Sequence, residues 1–193
     1  MKVYNFSPGP AKLDSSIISK SQEAMYNFQN TGLSILEIGH RSKEFEKLMN
    51  SLQENIRNIF NVPTNYFTLF LQGGATFQDT FIANNFDMRD KDLGCLVTGT
   101  WGKNTFDDFS KIRETKLIEL SQDEIENFVE SGEDLKNVDY LHLTSNETIN
   151  GVQLREFNKI NHDSLLIDMS SDIGSYRFEW DNVAYIYAGA QKN

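Results

Sequence analysis

Two residues near the end of the chain carry most of its chemical potential. Asp168 closes the apolar run SLLI, and Lys192 follows the run VAYIYA one strand later. A carboxylate at the end of a buried strand has to be partnered, because an isolated buried charge is costly. Its partner is either a helix N-terminus, with Asp168 as a simple cap, or a protonated ring nitrogen. A partly desolvated lysine can have a lowered pKa and act as an imine-forming nucleophile. The plain alternative for Lys192 is a solvated side chain, since lysine is seldom buried unpaired.

Two further stretches bear on the same chemistry. In QGGAT, residues 72–76, paired glycines before a helix let the backbone approach a ligand, and the helix start offers N–H groups to an anion such as a phosphate. A tight turn is the bland reading of that motif, and a P-loop is excluded because no Gly-Lys-Ser/Thr follows at the required spacing. Trp101, between Thr100 and Gly102, can pack into a core or lie flat on an aromatic ligand ring. Pyridoxal phosphate needs a lysine for its Schiff base, a carboxylate at its pyridine nitrogen, an aromatic over its ring and a cradle for its phosphate. No single element is specific to that cofactor, but the ordered set is much more so.

Alternating strands and helices position these residues. Ser15 to Asn30 reads as a helix stopped by Gly32, and Lys43 to Phe60 as a strongly amphipathic one, with Phe45, Leu48, Met49, Leu52, Ile56, Ile59 and Phe60 at three- and four-residue steps. YFTLFL, residues 66–71, reads as a buried strand, followed by a helix from Thr76 to about Phe86. A strand at Gly94–Thr98, a helix at Gly102–Ile112, a weaker strand at Lys116–Leu120 and an acidic helix near Asp123–Glu130 come next. DYLHLTS, SLLID and VAYIYA are three further strand candidates. The pattern indicates an α/β fold with a mostly parallel sheet and helices on both faces. In such sheets ligands sit at the carboxyl ends of the strands. QGGAT, TGTWGK, TSNET, DMSSD and GAQKN all fall there.

Composition narrows the classes. With 193 residues and 39 % hydrophobic content the chain can build a packed core. A net charge of −10 argues against non-specific nucleic-acid binding, and an anionic substrate must be held by a few local donors. The single cysteine, Cys95, excludes an intrachain disulfide and suits a reducing compartment. Without a signal-like N-terminus or a span-length apolar run, a cytoplasmic protein with no membrane partner is expected. His142, His162, Asp172 and Cys95 read as structural residues, and the acidic stretch Asp123–Asp134 as a solvated face.

The motifs together resemble the phosphoserine aminotransferase family, of the fold-type-I, class-V group of pyridoxal-phosphate enzymes. NFSPGPAKL, GLSILEIGHRSKEF, LFLQGGAT, TGTWGKN, TSNETINGV, IDMSSDI and YAGAQKN carry the resemblance, in the family's order along the whole chain. It implies that Lys192 carries the Schiff base and that Asp168 keeps the pyridine nitrogen protonated. Trp101 is implied to stack on the ring and Thr148 to hydrogen-bond its phenolic oxygen. Ala75, Thr76 and Gln191 are implied to bind the phosphate. Arg41, in GHRS, is implied to bind a substrate carboxylate, a task suited to a bidentate guanidinium; its neighbour His40 is read as structural. The implied reaction moves an amino group from glutamate to 3-phosphohydroxypyruvate, giving phosphoserine and 2-oxoglutarate, within a homodimer; serine biosynthesis is the pathway implied first and pyridoxine biosynthesis the second.

Residues 1–15 are expected to be an extended lead-in and 16–193 a cofactor-binding large domain, incomplete on its C-terminal side. The family's proteins are roughly twice this length, so the small C-terminal domain falls outside this sequence, and the chain alone is expected to be poorly stable or inactive. The alternatives are another fold-type-I aminotransferase or desulfurase-like enzyme, and a catalytically silent fragment. Three residues of TFQDTFIANN depart from the more apolar family pattern: Asp79, Asn84 and Asn85. Gly39 stands where the family usually has serine.

Overall fold

A computed structural model describes residues 3–7, 9–85, 91–131, 135 and 137–192. The chain divides into two compact units, residues 1–69 and 70–193.

In the first unit, α1 (Ser15–Tyr26) begins at Asp14, whose carboxylate accepts the Ser16 N–H at 2.8 Å. It stops four residues short of the expected end at Asn30. Asn27 leaves helical geometry, its amide oxygen accepts the Gly32 N–H at 2.8 Å, and Gln29 and Asn30 both take positive φ. An asparagine side chain that captures a nearby backbone N–H offers the chain an alternative to the helix. α2 (Lys43–Phe60) has the expected bounds. Ser42 caps it by accepting the Phe45 N–H, Glu44 and Glu46 sit in its first turn, Arg57 sits in its last, and Asn61 closes it in the left-handed conformation. Each of these charges complements the helix dipole.

Residues 66–71 correct the expected strand: they pair in no ladder among the described residues. Apolar residues become a strand only when a neighbour takes their backbone groups. Here α2 takes some of them instead: Arg57 donates to the carbonyl of Tyr66, and Gln53 Nε2 donates to that of Thr68 at 3.0 Å.

The second unit is built on a five-stranded, wholly parallel sheet in the order β2-β1-β3-β6-β7. The strands are β1 (Leu93–Val97), β2 (Thr115–Glu119), β3 (Tyr140–Thr144), β6 (Leu165–Asp168) and β7 (Val183–Tyr187), each within a residue or two of expectation. A short antiparallel pair not foreseen, β4 (Asn146–Glu147) and β5 (Val152–Gln153), follows β3. The helices are α3 (Gly74–Asn85), α4 (Thr100–Ile112) and α5 (Ile125–Ser131), the last preceded by a 3-10 turn at Gln122–Glu124. The expected end of α3 at Phe86, and part of the acidic stretch reaching Asp134, lie outside the described residues.

Strand alternation divides the core in two. Leu96, Leu141, Leu143, Leu165, Ile167 and Val183 share one face with Phe128 of α5, Phe157 and Ile160. Leu93, Cys95, Val97, Leu166 and Tyr187 share the other with Ile82 of α3 and Phe109 of α4. Successive side chains of a strand point to opposite faces, so runs such as GCLVT and SLLID feed both clusters. Helices thus cover both faces, as expected. Among the described residues no helix is long and apolar enough to cross a membrane.

Candidate active site

Parallel strands deliver their carboxyl ends to one side of the sheet, and there the second unit has a cavity of about 660 Å³. Its lining includes Ala75 and Thr76 from the first turn of α3, Trp101 from that of α4, Asp168 from β6, and Gln191 and Lys192 beyond β7. Six of the eight residues singled out in the sequence therefore converge. Thr148 is a seventh, at one remove: it does not line the cavity, but its hydroxyl accepts the Trp101 indole N–H at 2.8 Å. Arg41 is exposed in the turn before α2, with His40 beside it, in the first unit.

Local rules explain how each group arrives. Gly73 and Gly74 have φ of 100° and 62°, left-handed values that let the chain turn sharply into α3. A Cβ on Gly73 would also stand 2.5 Å from the Phe77 side chain. Gly74, Ala75 and Thr76 of the opening turn of α3 line the cavity, and the first N–H groups of a helix have no acceptor within it.

α4 begins differently. Glu147, fully buried on β4, accepts the N–H of Trp101 at 2.8 Å and that of Gly102 at 2.6 Å. Asn150 Oδ1 accepts both the N–H and the hydroxyl of Thr100, at 3.0 and 3.1 Å. Gly99 and Gly102 in TGTWGK make room for this cap: a Cβ on Gly99 would lie 2.7 Å from Glu147 Cδ, and one on Gly102 3.1 Å from its Oε1. Trp101 is thereby held at its backbone by Glu147 and at its ring by Thr148. Trp101 is 41 % exposed and lines the cavity, so it is not a core residue.

Lys192 Nζ lies 5.8 Å from the centre of the Trp101 ring. Asp168 accepts the Ser170 N–H at 2.8 Å. Burial pushes its pKa above the usual carboxylate range, Ser170 pulls it back, the negative charge of Asp172 adds to the rise, and the positive charge of Lys192 opposes it. Asp172 is a structural acceptor, taking bonds from Ser145 Oγ at 2.6 Å and Gln153 Nε2 at 3.2 Å. His142 is a satisfied strand histidine: Tyr187 Oη lies 3.0 Å from its Nε2 and Cys95 Sγ 3.7 Å from its Nδ1, and burial pulls it down to about 3. Burial drives the Cys95 thiol in the other direction, well above its ordinary value.

Glu147, Asn150 and Thr144 escaped the sequence reading, and Asp79 figured there only as a departure from the family pattern. TSNETIN contained the signal for the first two, an acid and an amide just past a strand end. Thr144 Oγ1 is buried with no hydrogen-bond partner, although it lines the cavity. A buried hydroxyl left unsatisfied beside a cavity is unusual in a finished core and marks a place for a polar ligand atom.

Comparison with known proteins agrees with this geometry. The family model for aminotransferase class-V matches residues 3–193. A curated phosphoserine aminotransferase of Geobacillus kaustophilus is 40 % identical over 196 residues, covering 100 % of this chain and 54 % of that protein. Phosphoserine aminotransferase from Bacillus circulans subsp. alkalophilus superposes with a TM-score of 0.87 at 34 % identity, covering 100 % of this chain and 54 % of that one. The pyridoxal-phosphate-bound phosphoserine aminotransferase of Trichomonas vaginalis gives a TM-score of 0.84 at 31 % identity, over 100 % of this chain and 58 % of that one. The chain thus spans about half the length of the curated relatives it matches. A parallel sheet with a lysine, an acid, an aromatic and an open helix start at its carboxyl edge, matched from residue 3 to residue 193, makes this chain a member of the class-V aminotransferase family.

Proposed function

We propose that this chain carries the pyridoxal-phosphate site of a phosphoserine aminotransferase, transferring an amino group between L-glutamate and 3-phosphohydroxypyruvate to give O-phospho-L-serine and 2-oxoglutarate. The observation that carries the reading is the convergence of Lys192, Asp168, Trp101 and the first turn of α3 on one cavity. Residues 16–193 are its cofactor-binding large domain and residues 1–15 the segment leading into it.

The residues fit the cofactor. The open first turn of α3, with the Thr76 hydroxyl and the Gln191 amide, suits its phosphate. Trp101 offers a partly exposed ring beside Lys192, and the unpartnered Thr144 hydroxyl offers a polar contact. When bound, pyridoxal phosphate supplies an electron-withdrawing ring that stabilises negative charge on the carbon bearing the substrate nitrogen.

The chain's own groups do the rest. Lys192 would hold the cofactor through Nζ and, once released, move a proton to and from the substrate α-carbon. Asp168 would pair through its carboxylate with the protonated ring nitrogen, and a positive partner there would offset the burial that now raises its pKa. Trp101, fixed by Glu147 and Thr148, would orient the ring and shield one side of it from water. Thr148 is assigned to the cofactor's phenolic oxygen and Arg41 to a substrate carboxylate. The assembly is a homodimer in the cytoplasm, serving serine and pyridoxine biosynthesis.

A desulfurase-like activity needs a reactive thiol, and Cys95 is fully buried in β1. Incubation with pyridoxal phosphate, borohydride reduction and peptide mapping test the reading. Labelling confined to Lys192, and lost in Lys192→Ala, is expected, with turnover of glutamate and the phosphorylated oxoacid measured next. Labelling scattered over surface lysines would overturn it.

A further inference from the structure

Asp79 departs from the apolar pattern expected of its helix, and its surroundings give it work. It lies in the second turn of α3, is 5 % exposed, and lines the cavity shared by Asp168 and Lys192. A carboxyl removed from water must be paired or neutralised. Tyr187 Oη donates to its Oδ1 at 3.2 Å, and Thr105 of α4 also hydrogen-bonds it. The neighbouring Gln78 of α3 accepts from Tyr185 Oη at 2.7 Å, so two tyrosines of one face of β7 fasten the helix that opens the proposed phosphate cradle.

The Tyr187 hydroxyl is a shared group. When its proton goes to Asp79, its oxygen is free to accept from His142 Nε2, 3.0 Å away, while the Cys95 thiol lies 3.6 Å from the Gly102 carbonyl and 3.7 Å from His142 Nδ1. His142 and Cys95 both stay neutral in the working range, since burial lowers the first and raises the second. Tyr187 and Thr105 are the groups that hydrogen-bond Asp79 itself. The charged groups that raise it are Asp168 from β6 and Asp108 from α4, the latter bonded to Lys111 Nζ at 2.6 Å, while Lys111 and Lys192 line the same cavity. Burial and these two carboxylates together push its carboxyl up to about 7, against the pull of Tyr187 and Thr105.

We propose that Asp79 is a positioning residue for the ring-nitrogen end of the site: anchored to β7 through Tyr187, it holds or releases a proton beside Asp168 and so decides whether that end of the cavity carries one negative charge or two. The proposal rests on the pyridoxal-phosphate reading. With the proton gone, the second charge strengthens the hold of Asp168 on a protonated ring nitrogen; with it present, Asp168 acts alone.

The test compares the purified full chain with Asp79→Asn, an isosteric change without the titration, and with Tyr187→Phe. The first measurement needs no cofactor. A carboxyl raised from 3.8 to about 7 binds its proton more tightly folded than unfolded, so the stability it contributes is full below about 4 and is lost as pH rises to about 7. The melting temperature of the parent relative to Asp79→Asn should fall across that window and level off above it. In Tyr187→Phe, which removes a donor to the charged form, the levelling point should move to higher pH.

The second measurement is pyridoxal-phosphate affinity by quenching of tryptophan fluorescence. The parent should gain about three- to tenfold over Asp79→Asn between pH 6 and pH 8, the size of a one-charge change nearby. A purely structural role would shift the melting temperature or affinity by a constant amount at every pH, and parallel profiles would overturn the proposal. A parent that binds no pyridoxal phosphate at Lys192 overturns the functional reading instead, while the melting profiles still judge whether Asp79 titrates.

Discussion

Removing the Glu147 carboxylate should loosen the start of α4 and release Trp101. The side chain is fully buried and accepts two backbone N–H groups, at 2.8 and 2.6 Å, from residues whose helix supplies no acceptor for them. Glu147→Gln keeps the shape and one acceptor but turns an NH2 group toward the second N–H. One buried donor is left unpaired, and a charge-assisted bond is lost. An unsatisfied buried group costs about 1–3 kcal/mol, and loss of a favourable charge at a helix N-terminus adds up to about 1 kcal/mol, so about 2–3 kcal/mol is expected. Glu147→Ala leaves both N–H groups unpaired as well as a void, and should cost about 4 kcal/mol. Urea unfolding followed by far-UV circular dichroism measures the loss. Fluorescence adds a local reading, because Trp101 should emit as a more exposed indole in both variants. If Glu147→Gln unfolds within about 0.5 kcal/mol of the parent, the level of an ordinary surface change, the cap does not hold α4 as described.

Two further outcomes follow from the packing of β1. A Cβ on Gly94 would stand 2.8 Å from Val138 Cγ1 and 3.3 Å from Leu141 Cδ1, so Gly94→Ala should overpack the sheet face and cost about 1–3 kcal/mol in urea unfolding; an unchanged midpoint would refute the close approach. Cys95 is fully buried and its thiol is pushed up by burial, so a water-soluble disulfide reagent at pH 8 should leave it unmodified for hours and label it fully in denaturant. Rapid labelling of the native chain would contradict the packing of β1 against α4.

The parts of this molecule legible in sequence are those governed by short-range periodicity. α2 has its expected bounds because a long amphipathic stripe begins at a serine cap and ends at an asparagine that adopts the left-handed conformation. The five parallel strands were legible because each is an apolar run bounded by turn residues. YFTLFL has the same composition and fails, since strand formation depends on a ladder partner that lies elsewhere in sequence. Tyr66 and Thr68 give their carbonyls to α2 instead, a competition no window of residues around them reveals. α1 was overestimated for a related reason: Asn27 looked like one more helical residue until its side chain took the Gly32 N–H.

The site divides in the same way. Lys192, Asp168, Trp101 and the QGGAT turn announce themselves by type and position, but the groups that aim them do not. Glu147 could be noticed as an acid after a strand, yet its target lies 46 residues earlier in the chain. That target explains how the cavity distinguishes its two helix starts. Both α3 and α4 point an N-terminus at the same space, and either dipole would attract an anion. At α4 the chain has already placed its own carboxylate there, bonded to Trp101 and Gly102, with two glycines removing the side chains that would obstruct it. At α3 the corresponding opening is made by Gly73 and Gly74, and the residues around it are small or hydroxyl-bearing. A phosphate is therefore favoured at α3 and repelled at α4.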